Sequence, residues 1–417
     1  MTTTHRIRTA GPRARTLALG LALTTLTALT ACGTTPTPPG TDRTESAGAR
    51  PHGHVEGAEE TGEAQSRLVL ADGGSGAVHV LDLVTGEVTA TGRAPGVRAM
   101  TGDGRYAYLS TPKGLTVVDS GGWTVDHGDH VHHYRATPRA LDPVPVRPPH
   151  RIHTDAAVTA VTAVTGADGT TRLLTRPAPT SAAPGGERAL RLGTAAPVVP
   201  YQGRLLVPGT GPGRDTVEVR DRTGKTVTVL DERCRAPRAA TVTRRGAVLG
   251  CADGALIVSG EDGDLTAHRV PYGRPVAPGE RATRFDHRPG ATTLTARSGA
   301  DAVWVLDVTA RRWTLIRTGP VAAVNTAGEG TPVLALGTDG VLRAYDPATG
   351  RRTASRALLK DPSGAGATAV VAVDSDRAYV NDPGGDRVHE IDFGDGLRVA
   401  RVLRLGFSPT HLVETGR

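Results

Sequence analysis

Val80-Leu81-Asp82-Leu83-Val84-Thr85-Gly86-Glu87-Val88-Thr89 has the pattern of a β-hairpin. An apolar strand ends near an aspartate, a Thr-Gly turn follows, and a second strand begins. The aspartate can accept hydrogen bonds from the turn backbone, and the glycine can adopt the positive φ that such turns require. The alternation of Val, Leu and Thr favours strands over helices. This stretch therefore predicts one hairpin of an antiparallel sheet.

Related hairpins recur along the chain. Clear copies centre on further aspartates, namely Asp119, Asp221, Asp307, Asp346 and Asp392, with weaker copies near Asp168 and Gly260–Gly263. Neighbouring copies are about 37 to 54 residues apart, which is the range of a four-stranded propeller blade. Residues 66–417 are therefore expected to be all-β, a β-propeller of seven or eight four-stranded blades. A pair of β-sandwiches is the alternative, but it leaves the long-range repeat unexplained.

The first 32 residues have the features of a bacterial lipoprotein signal. A basic segment precedes an apolar run over residues 17–31, which is too short and too rich in Thr for a membrane-spanning helix. Leu29-Thr30-Ala31-Cys32-Gly33 resembles a lipobox, and by that resemblance Cys32 becomes the lipid-bearing first residue of the mature protein. A plain secretory signal is the alternative. We expect the protein to be anchored in the membrane through its lipid, on the outer face of the cytoplasmic membrane.

Residues 33–65 are rich in Pro, Thr, Gly, Ser and Glu and have almost no large apolar side chain. Such a segment cannot bury enough surface to offset its chain entropy, so a disordered tether is expected. The tether carries His52, His54 and Glu56, a mobile string of possible metal ligands. The predicted organisation is a signal over 1–32, a tether over 33–65 and a propeller over 66–417.

Apart from Cys32, the cysteines are Cys234 and Cys251. In an oxidising compartment outside the cytoplasm, such a pair most simply forms a disulfide. The loop that it closes is short, so its expected contribution to stability is about 3 kcal/mol.

The net charge of +7 does not indicate a nucleic-acid-binding protein, because the arginines are scattered and no aromatic residues are interleaved with them. A basic exported protein beside anionic lipid and wall polymer is the better explanation of the charge. The sequence contains no nucleophile elbow, kinase loop or dinucleotide fingerprint, so no enzymatic activity is expected. We expect a monomer.

Asp126-His127-Gly128-Asp129-His130-Val131-His132-His133-Tyr134 concentrates four imidazoles and two carboxylates in a chain with 14 histidines. If a strand resumes at Asp129, His130 and His132 point to one face, while Asp129 and His133 point to the other. A following strand can present two more imidazoles nearby. The expected metal ligands are His127, Asp129, His130, His132, His133, His150 and His153. Nitrogen and oxygen donors without a thiolate suit Zn²⁺, and a solvated polar loop is the alternative.

This nonapeptide resembles the signature of the bacterial zinc metallochaperones of the AztD type. The resemblance implies an extracytoplasmic β-propeller that hands zinc to the solute-binding protein of a zinc ABC importer. The paired cysteines, the stretch 378–392 and the closing Glu414-Thr415-Gly416-Arg417 are similar to the corresponding parts of the family. His52, His54 and Glu56 resemble its mobile N-terminal arm. The resemblance extends over residues 51–417.

The chain departs from the family pattern in two stretches. Between the cysteines, the family carries a Leu-His-Gly-Glu-Ala run, whereas residues 235–240 here contain neither imidazole nor carboxylate. A His-Gly-Val-Ala-Val-Pro stretch corresponds to residues 194–200, again without histidine. If those residues line a metal site, this chain has lost part of it and holds one site, or holds zinc loosely.

Three functions are compatible with these patterns. The first is a surface-anchored protein that captures zinc and transfers it to a partner. The second is a non-metal propeller that scaffolds protein interactions in the cell envelope, with solvated histidines. The third is a metal-dependent hydrolase with Asp126 or Asp129 as general base, for which no catalytic motif is present.

Overall fold

The computed structural model describes residues 53–127, 129–155, 161–210, 213–261, 264–360 and 369–416. Within these ranges, antiparallel strands and turns build the fold, and no helix is long and apolar enough to cross a bilayer. The predicted signal 1–32 with Cys32, the tether up to His52, and Arg417 lie outside the described residues.

The strands in the first part of the chain are short and closely spaced. They are β1 (Glu59–Thr61), β2 (Arg67–Ala71), β3 (Ala77–Asp82), β4 (Val88–Arg93), β5 (Ala99–Gly102), β6 (Tyr106–Thr111), β7 (Gly114–Asp119), β8 (Gly122–Asp126), β9 (Val131–Arg135), β10 (Arg139–Ala140), β11 (Arg151–Asp155), β12 (Val161–Thr165), β13 (Thr170–Thr175), β14 (Gly185–Arg191), β15 (Val199–Tyr201), β16 (Arg204–Pro208), β17 (Val217–Arg220) and β18 (Thr226–Val229).

The second part of the chain continues in the same manner, with short 3₁₀ turns at Pro278–Glu280 and Pro383–Gly385. Its strands are β19 (Ala239–Thr243), β20 (Gly246–Cys251), β21 (Gly254–Glu261), β22 (Asp264–Pro271), β23 (Thr293–Ser298), β24 (Ala302–Asp307), β25 (Arg312–Arg317), β26 (Val321–Thr326), β27 (Val333–Gly337), β28 (Val341–Tyr345), β29 (Arg352–Ala357), β30 (Val371–Val373), β31 (Arg377–Asp382), β32 (Arg387–Asp392), β33 (Arg398–Arg404) and β34 (His411–Thr415).

The described strands form nine sheets in which chain neighbours are mostly sheet neighbours. Their orders are β34-β2-β3-β4, β10-β7-β6-β5, β11-β12-β13-β14, β15-β16-β17-β18, β19-β20-β21-β22, β23-β24-β25, β26-β27-β28-β29, β30-β31-β32-β33 and the small sheet β1-β9-β8. Because β34 pairs with β2, the last described strand completes the sheet in which the chain begins its series.

Burial differs between the second and the last strand of a sheet. Strands β2, β20 and β27 are buried at every residue, whereas β18 and β29 are largely exposed. Neighbouring sheets pack face to face, as where Leu336 and Leu342 of one sheet meet Val380 and Ile391 of the next. Radial stacking of this kind gives sheets two buried faces and short exposed edges, as expected of a β-propeller. The predicted all-β class is confirmed.

The repeated Asp-turn hairpins fold as the sequence indicates. The carboxylate of Asp82 accepts the N–H groups of Val84 and Thr85, both at 2.9 Å. Asp346 makes the same pair of bonds with Ala348 and Thr349, at 2.9 and 2.8 Å. Gly86 and Gly350 follow these turns at φ of 77° and 70°, a conformation that glycine adopts without strain. The local repeat is therefore a structural repeat.

The first strand of successive sheets lines a central cavity of about 890 Å³. These lining strands are β34, β5, β11, β15, β19, β26 and β30, together with residues 283–290 beside β23. The cavity thus lies where the channel of a propeller is expected.

The predicted tether is not uniformly unstructured. Residues Glu59–Thr61 at its C-terminal end form β1, which pairs antiparallel with β9. Residues 33–65 contain almost no large apolar side chains, so their composition did not predict a strand. An edge strand, however, can form with only backbone hydrogen bonds and cross-strand side-chain contacts. The expectation of a disordered segment up to residue 65 is therefore wrong for this end.

Candidate metal centre

The histidine-rich segment forms the β8-β9 hairpin, in which Asp126 pairs with Val131 and Val125 pairs with His132. The N–H of His127 donates to the carbonyl of His130 at 2.9 Å and closes the turn. The predicted facing of the histidines assumes a strand that resumes at Asp129, but β9 begins at Val131. His127 therefore directly follows β8, and His130 directly precedes β9.

Aromatic packing fixes the base of this hairpin. Trp123 and Tyr134 are both buried and stack with ring centroids 5.1 Å apart. The guanidinium of Arg105 lies 3.7 Å from the Trp123 ring and forms a buried ion pair with Asp119. The contact of Arg105 with Trp123 therefore joins the hairpin to the sheet that contains β6 and β7.

The imidazoles of His127, His130 and His132 form a group that we call the hairpin cluster. One ligand nitrogen from each ring can be chosen such that all lie within 4.8 Å of one another. The rings of His127 and His130 stack at 4.9 Å, and both meet His132 edge-on at 5.3 and 4.9 Å. The first two histidines are exposed, whereas His132 is only 8% exposed.

Strand alternation separates His133 from this cluster. His132 and Tyr134 share the buried face of β9, whereas His133 points to the other face. There its Nδ1 lies 2.9 Å from Thr124 Oγ1. The structure therefore brings together three of the four histidines in the nonapeptide and directs the fourth elsewhere.

Two carboxylates contact the Nδ1 atoms of histidines in the cluster. Asp129 Oδ1 lies 2.7 Å from His130 Nδ1, and Glu60 Oε1 lies 2.7 Å from His132 Nδ1. An ionised carboxylate only accepts hydrogen bonds, so each Nδ1 carries the proton and each lone pair resides on Nε2. Asp129, predicted as a ligand, here orients a ligand. Carboxylate-bound imidazoles of this kind are typical of zinc sites.

Glu60 was not predicted as a site residue, although it closes the His- and Glu-rich stretch that starts at His52. The register of β1 explains its position, because Glu60 is paired directly with Tyr134 and therefore shares the face of His132. Glu59 forms an ion pair with Arg135 at 2.7 Å. The acidic run that contains Glu60 is evident in the sequence. Its pairing with a strand 72 residues away could not be predicted from the sequence.

The leader residues before β1 also lie beside the cluster. Tyr134 Oη donates to the carbonyl of Gly53 at 2.8 Å. Gly53 has a φ of 84°, and a Cβ added there would be 2.9 Å from His132 Cε1. Of the predicted arm ligands, His54 and Glu56 are exposed and follow Gly53 directly, and His52 lies outside the described residues.

His150 and His153 occupy a different part of the molecule, and we call them the cavity histidines. Both line the central cavity, His153 on β11 and His150 immediately before that strand. The Nε2 of His150 lies 2.9 Å from the carbonyl of Val146, to which it donates. Burial, helped by the adjacent charge of Arg151, lowers the pKa of His153 to about 4. Neither belongs to the hairpin cluster among the described residues.

The donor set of the hairpin cluster fits a borderline divalent cation. Zinc–imidazole bonds of about 2.0–2.1 Å place tetrahedral ligand nitrogens about 3.4 Å apart. Ligand atoms within 4.8 Å of one another therefore need to approach by at most about 1.4 Å. The exposed rings of His127 and His130 can do so by side-chain rotation. Three nitrogens leave a fourth position for a further ligand.

The predicted disulfide between Cys234 and Cys251 is present, with a Cα–Cα distance of 5.2 Å. Both cysteines are buried, and they pack with Leu249 and Leu256 in the core between two sheets.

No family model and no curated protein matches the chain. Among solved structures, the crystal structure of AztD from Citrobacter koseri has a TM-score of 0.71 at 19% identity, covering 85% of this chain and 98% of that chain. Apo AztD from the same organism gives 0.70 at 18% identity, with coverages of 85% and 98%. Dihydro-heme d1 dehydrogenase NirN gives 0.50 at 14% identity, with coverages of 88% and 78%. The AztD-type resemblance seen in the sequence is confirmed at the level of the fold: this chain has the fold of AztD.

Proposed function

We propose that this protein binds Zn²⁺ at the hairpin cluster outside the cytoplasmic membrane and passes it to a partner protein. The observation that carries the proposal is the convergence of three imidazoles, two of which are held at Nδ1 by carboxylates. The two carboxylates place the lone pairs of His130 and His132 on Nε2, which is the tautomer that an Nε2-bound metal requires.

The exposure of the cluster suits an ion that is cargo. His127 and His130 are exposed and Glu60 is half-exposed, so incoming ligands can reach the ion and replace the imidazoles one at a time. A closed four-ligand cage would hold the ion as a structural component. His54 and Glu56, which follow Gly53 beside His132, are placed to deliver the ion or to fill the fourth position.

Several further parts of the proposal rest on the sequence and its resemblance. The receiving partner is the solute-binding protein of a zinc ABC importer, as the AztD-type resemblance implies. Lipidation of Cys32 would hold the protein on the outer face of the cytoplasmic membrane as a monomer. The order of the inner strands around the cavity supports eight blades, the first of them completed by β34.

Zinc titration of the full-length protein at neutral pH tests this proposal. We expect one Zn²⁺ per chain, with binding weakened about 100-fold or more in His130→Ala/His132→Ala, since two of three nitrogens are lost. The matched control His150→Ala/His153→Ala removes two cavity histidines and should leave the affinity unchanged. Equal losses in both variants, or no binding by the wild type, would contradict the proposal and favour the scaffold function.

Transfer is tested separately with the zinc solute-binding protein of the same organism. Zinc-loaded wild type should lose its ion to the partner faster than the ion dissociates into a chelator. If zinc is released at the same rate with and without the partner, direct transfer is contradicted, and the protein only binds zinc.

A further inference from the structure

The central cavity has a basic mouth that the proposed zinc site does not use. Arg98 immediately precedes β5, Arg151 opens β11, and Arg238 immediately precedes β19. Arg297 on β23 also lines the cavity. We call these four residues the arginine mouth. All four are exposed.

Topology places these arginines at one end of the cavity. Four antiparallel strands return the chain to the end from which it started, so successive inner strands run in the same direction. Arg98 and Arg238 precede inner strands, and Arg151 begins one. Because β23 runs antiparallel to residues 283–287, with Asp286 opposite Thr295, Arg297 falls at the same end.

Direct contacts support this placement. Arg151 donates from Nη1 to the carbonyl of Arg238 at 3.2 Å, and from Nε to the carbonyl of Ala195 at 2.8 Å. His411, which opens β34, is hydrogen-bonded to the backbone of Arg98. The starts of β34 and β5 are therefore adjacent, and so are the starts of β11 and β19.

The positive charge at this mouth is not neutralised within the described part of the chain. No carboxylate there forms an ion pair with any residue of the arginine mouth, although the other cavity arginines Arg244 and Arg284 are paired with Glu329 and Asp286. Partial desolvation in the cavity and the adjacent charge of Arg238 lower the pKa of Arg151. The guanidiniums thus repel one another without compensation.

The carboxylates at the opposite end of the cavity have structural partners. Asp103 accepts the N–H groups of Arg105 and Tyr106, at 3.0 and 2.8 Å, and the hydroxyl of Tyr108 at 2.8 Å. Asp155 accepts the N–H of Gln202 at 3.0 Å. These acids hold turns together at the far end, so the field along the cavity attracts anions towards the arginine mouth.

His153 adds a neutral acceptor below the arginines. It lies two residues after Arg151 on β11, on the same side of the strand, and lines the same cavity. Its Nδ1 is buried without a hydrogen-bond partner among the described residues. Since the ring is bonded to the backbone of Val198, the unused Nδ1 is the nitrogen that can accept a proton donor.

From this geometry we infer that the central cavity is a binding site for a small multivalent oxyanion that also carries a hydroxyl. Guanidiniums bind carboxylate and phosphate oxygens in a fixed fork geometry. The hydroxyl donates to Nδ1 of His153. The cavity volume of about 890 Å³ is ample for such a ligand.

Calorimetry with citrate in metal-free buffer tests this inference on the full-length protein. We expect saturable binding of one citrate per chain, and Arg151→Gln/Arg238→Gln should weaken it about 30-fold or more. The control Arg356→Gln/Arg404→Gln removes the same charge from the exposed outer strands β29 and β33 and should change affinity less than about 3-fold. Equal losses in the two variants would overturn the inference, as would undiminished binding in the cavity variant.

A second ligand and a second variant separate the site from a general charge effect. Tricarballylate has the carboxylates of citrate without the hydroxyl, and it should bind the wild type about 5-fold more weakly because His153 loses its donor. His153→Leu should abolish that preference and keep the arginine-dependent part. No preference in the wild type would overturn the role of His153.

Binding of a polyglutamate peptide without binding of citrate would overturn the small-anion site. Arg98→Gln/Arg297→Gln repeats the test should the first pair fail to fold.

Discussion

The hairpin cluster and the cavity histidines contain the same side chain in opposite surroundings. At the hairpin, carboxylates contact His130 and His132 and the other sides of the rings face their neighbours. In the cavity, His153 lies beside Arg151 and has a pKa near 4. One environment favours a nearby cation, and the other excludes positive charge and leaves a neutral ring. Imidazole therefore indicates metal binding only together with the charge that surrounds it.

The largest expected effect on zinc affinity separates His132 from His133, which are neighbours on β9. His132→Ala should weaken Zn²⁺ binding about 100-fold or more, because it removes the most buried nitrogen donor of the cluster. His133→Ala, on the opposite face of β9, should change it less than about 3-fold. Competition with a chromophoric chelator measures both. If the two variants lose affinity equally, the strand alternation does not define the site.

The next effect concerns the cavity. The pKa of His153 falls from 6.5 to about 4 on folding, so below pH 6.5 the unfolded chain binds a proton that the folded chain does not. Stability should therefore decrease as the pH falls from 6.5 towards 4, and His153 should contribute on the order of 2–3 kcal/mol to that decrease.

Urea unfolding at pH 7 and pH 4.5 measures this contribution. His153→Gln should show a smaller acid-induced loss than the wild type, whereas the exposed control His54→Gln should behave as the wild type does. An identical acid-induced loss in His153→Gln would show that His153 is not held neutral.

A smaller effect separates two adjacent glutamates. Glu60→Gln should weaken Zn²⁺ binding about 10-fold, because a charged partner of a metal-bound imidazole is replaced by a neutral one. Glu59→Gln changes the same charge one residue earlier, on the other face of β1, and should have almost no effect on zinc affinity. The same titration compares them. Equal effects would mean that only the net charge near the hairpin matters.

The smallest effect concerns the exposed ion pair of Glu59 with Arg135. Solvent screens this pair, so its contribution to stability should be small. A double-mutant cycle of Glu59→Gln and Arg135→Gln, measured by urea unfolding, should give a coupling close to the experimental error. A large coupling would show that β1 is held to the hairpin by charge, and not by its backbone pairing and Glu60.

Local sequence information was sufficient for the fold. The turn at Asp82 is held by hydrogen bonds that span at most three residues. The hairpins and the all-β class could therefore be predicted from the local sequence. The hairpin cluster was also close in sequence, and three of its expected histidines do converge.

Long-range pairing was not readable. The contact of Glu60 with His132 depends on β1 joining β9, across 72 residues. Likewise, His153 lies on β11, which lines the cavity because it is the first strand of its sheet. The number of residues between His133 and His153 does not indicate this position. The start of the strand was also not evident from the sequence, because β9 begins at Val131 and His130 lies just before it.

The pairing of β34 with β2 has a consequence for the order of events in biosynthesis. Residues 67–71 leave the ribosome about 340 residues before their partners at 411–415. Until then, β2 is an unprotected strand edge that can pair with other chains. A chaperone or translocation machinery that keeps the nascent chain extended would therefore protect this protein most at its earliest strands, and a chain truncated before residue 411 would leave that edge permanently open to aggregation.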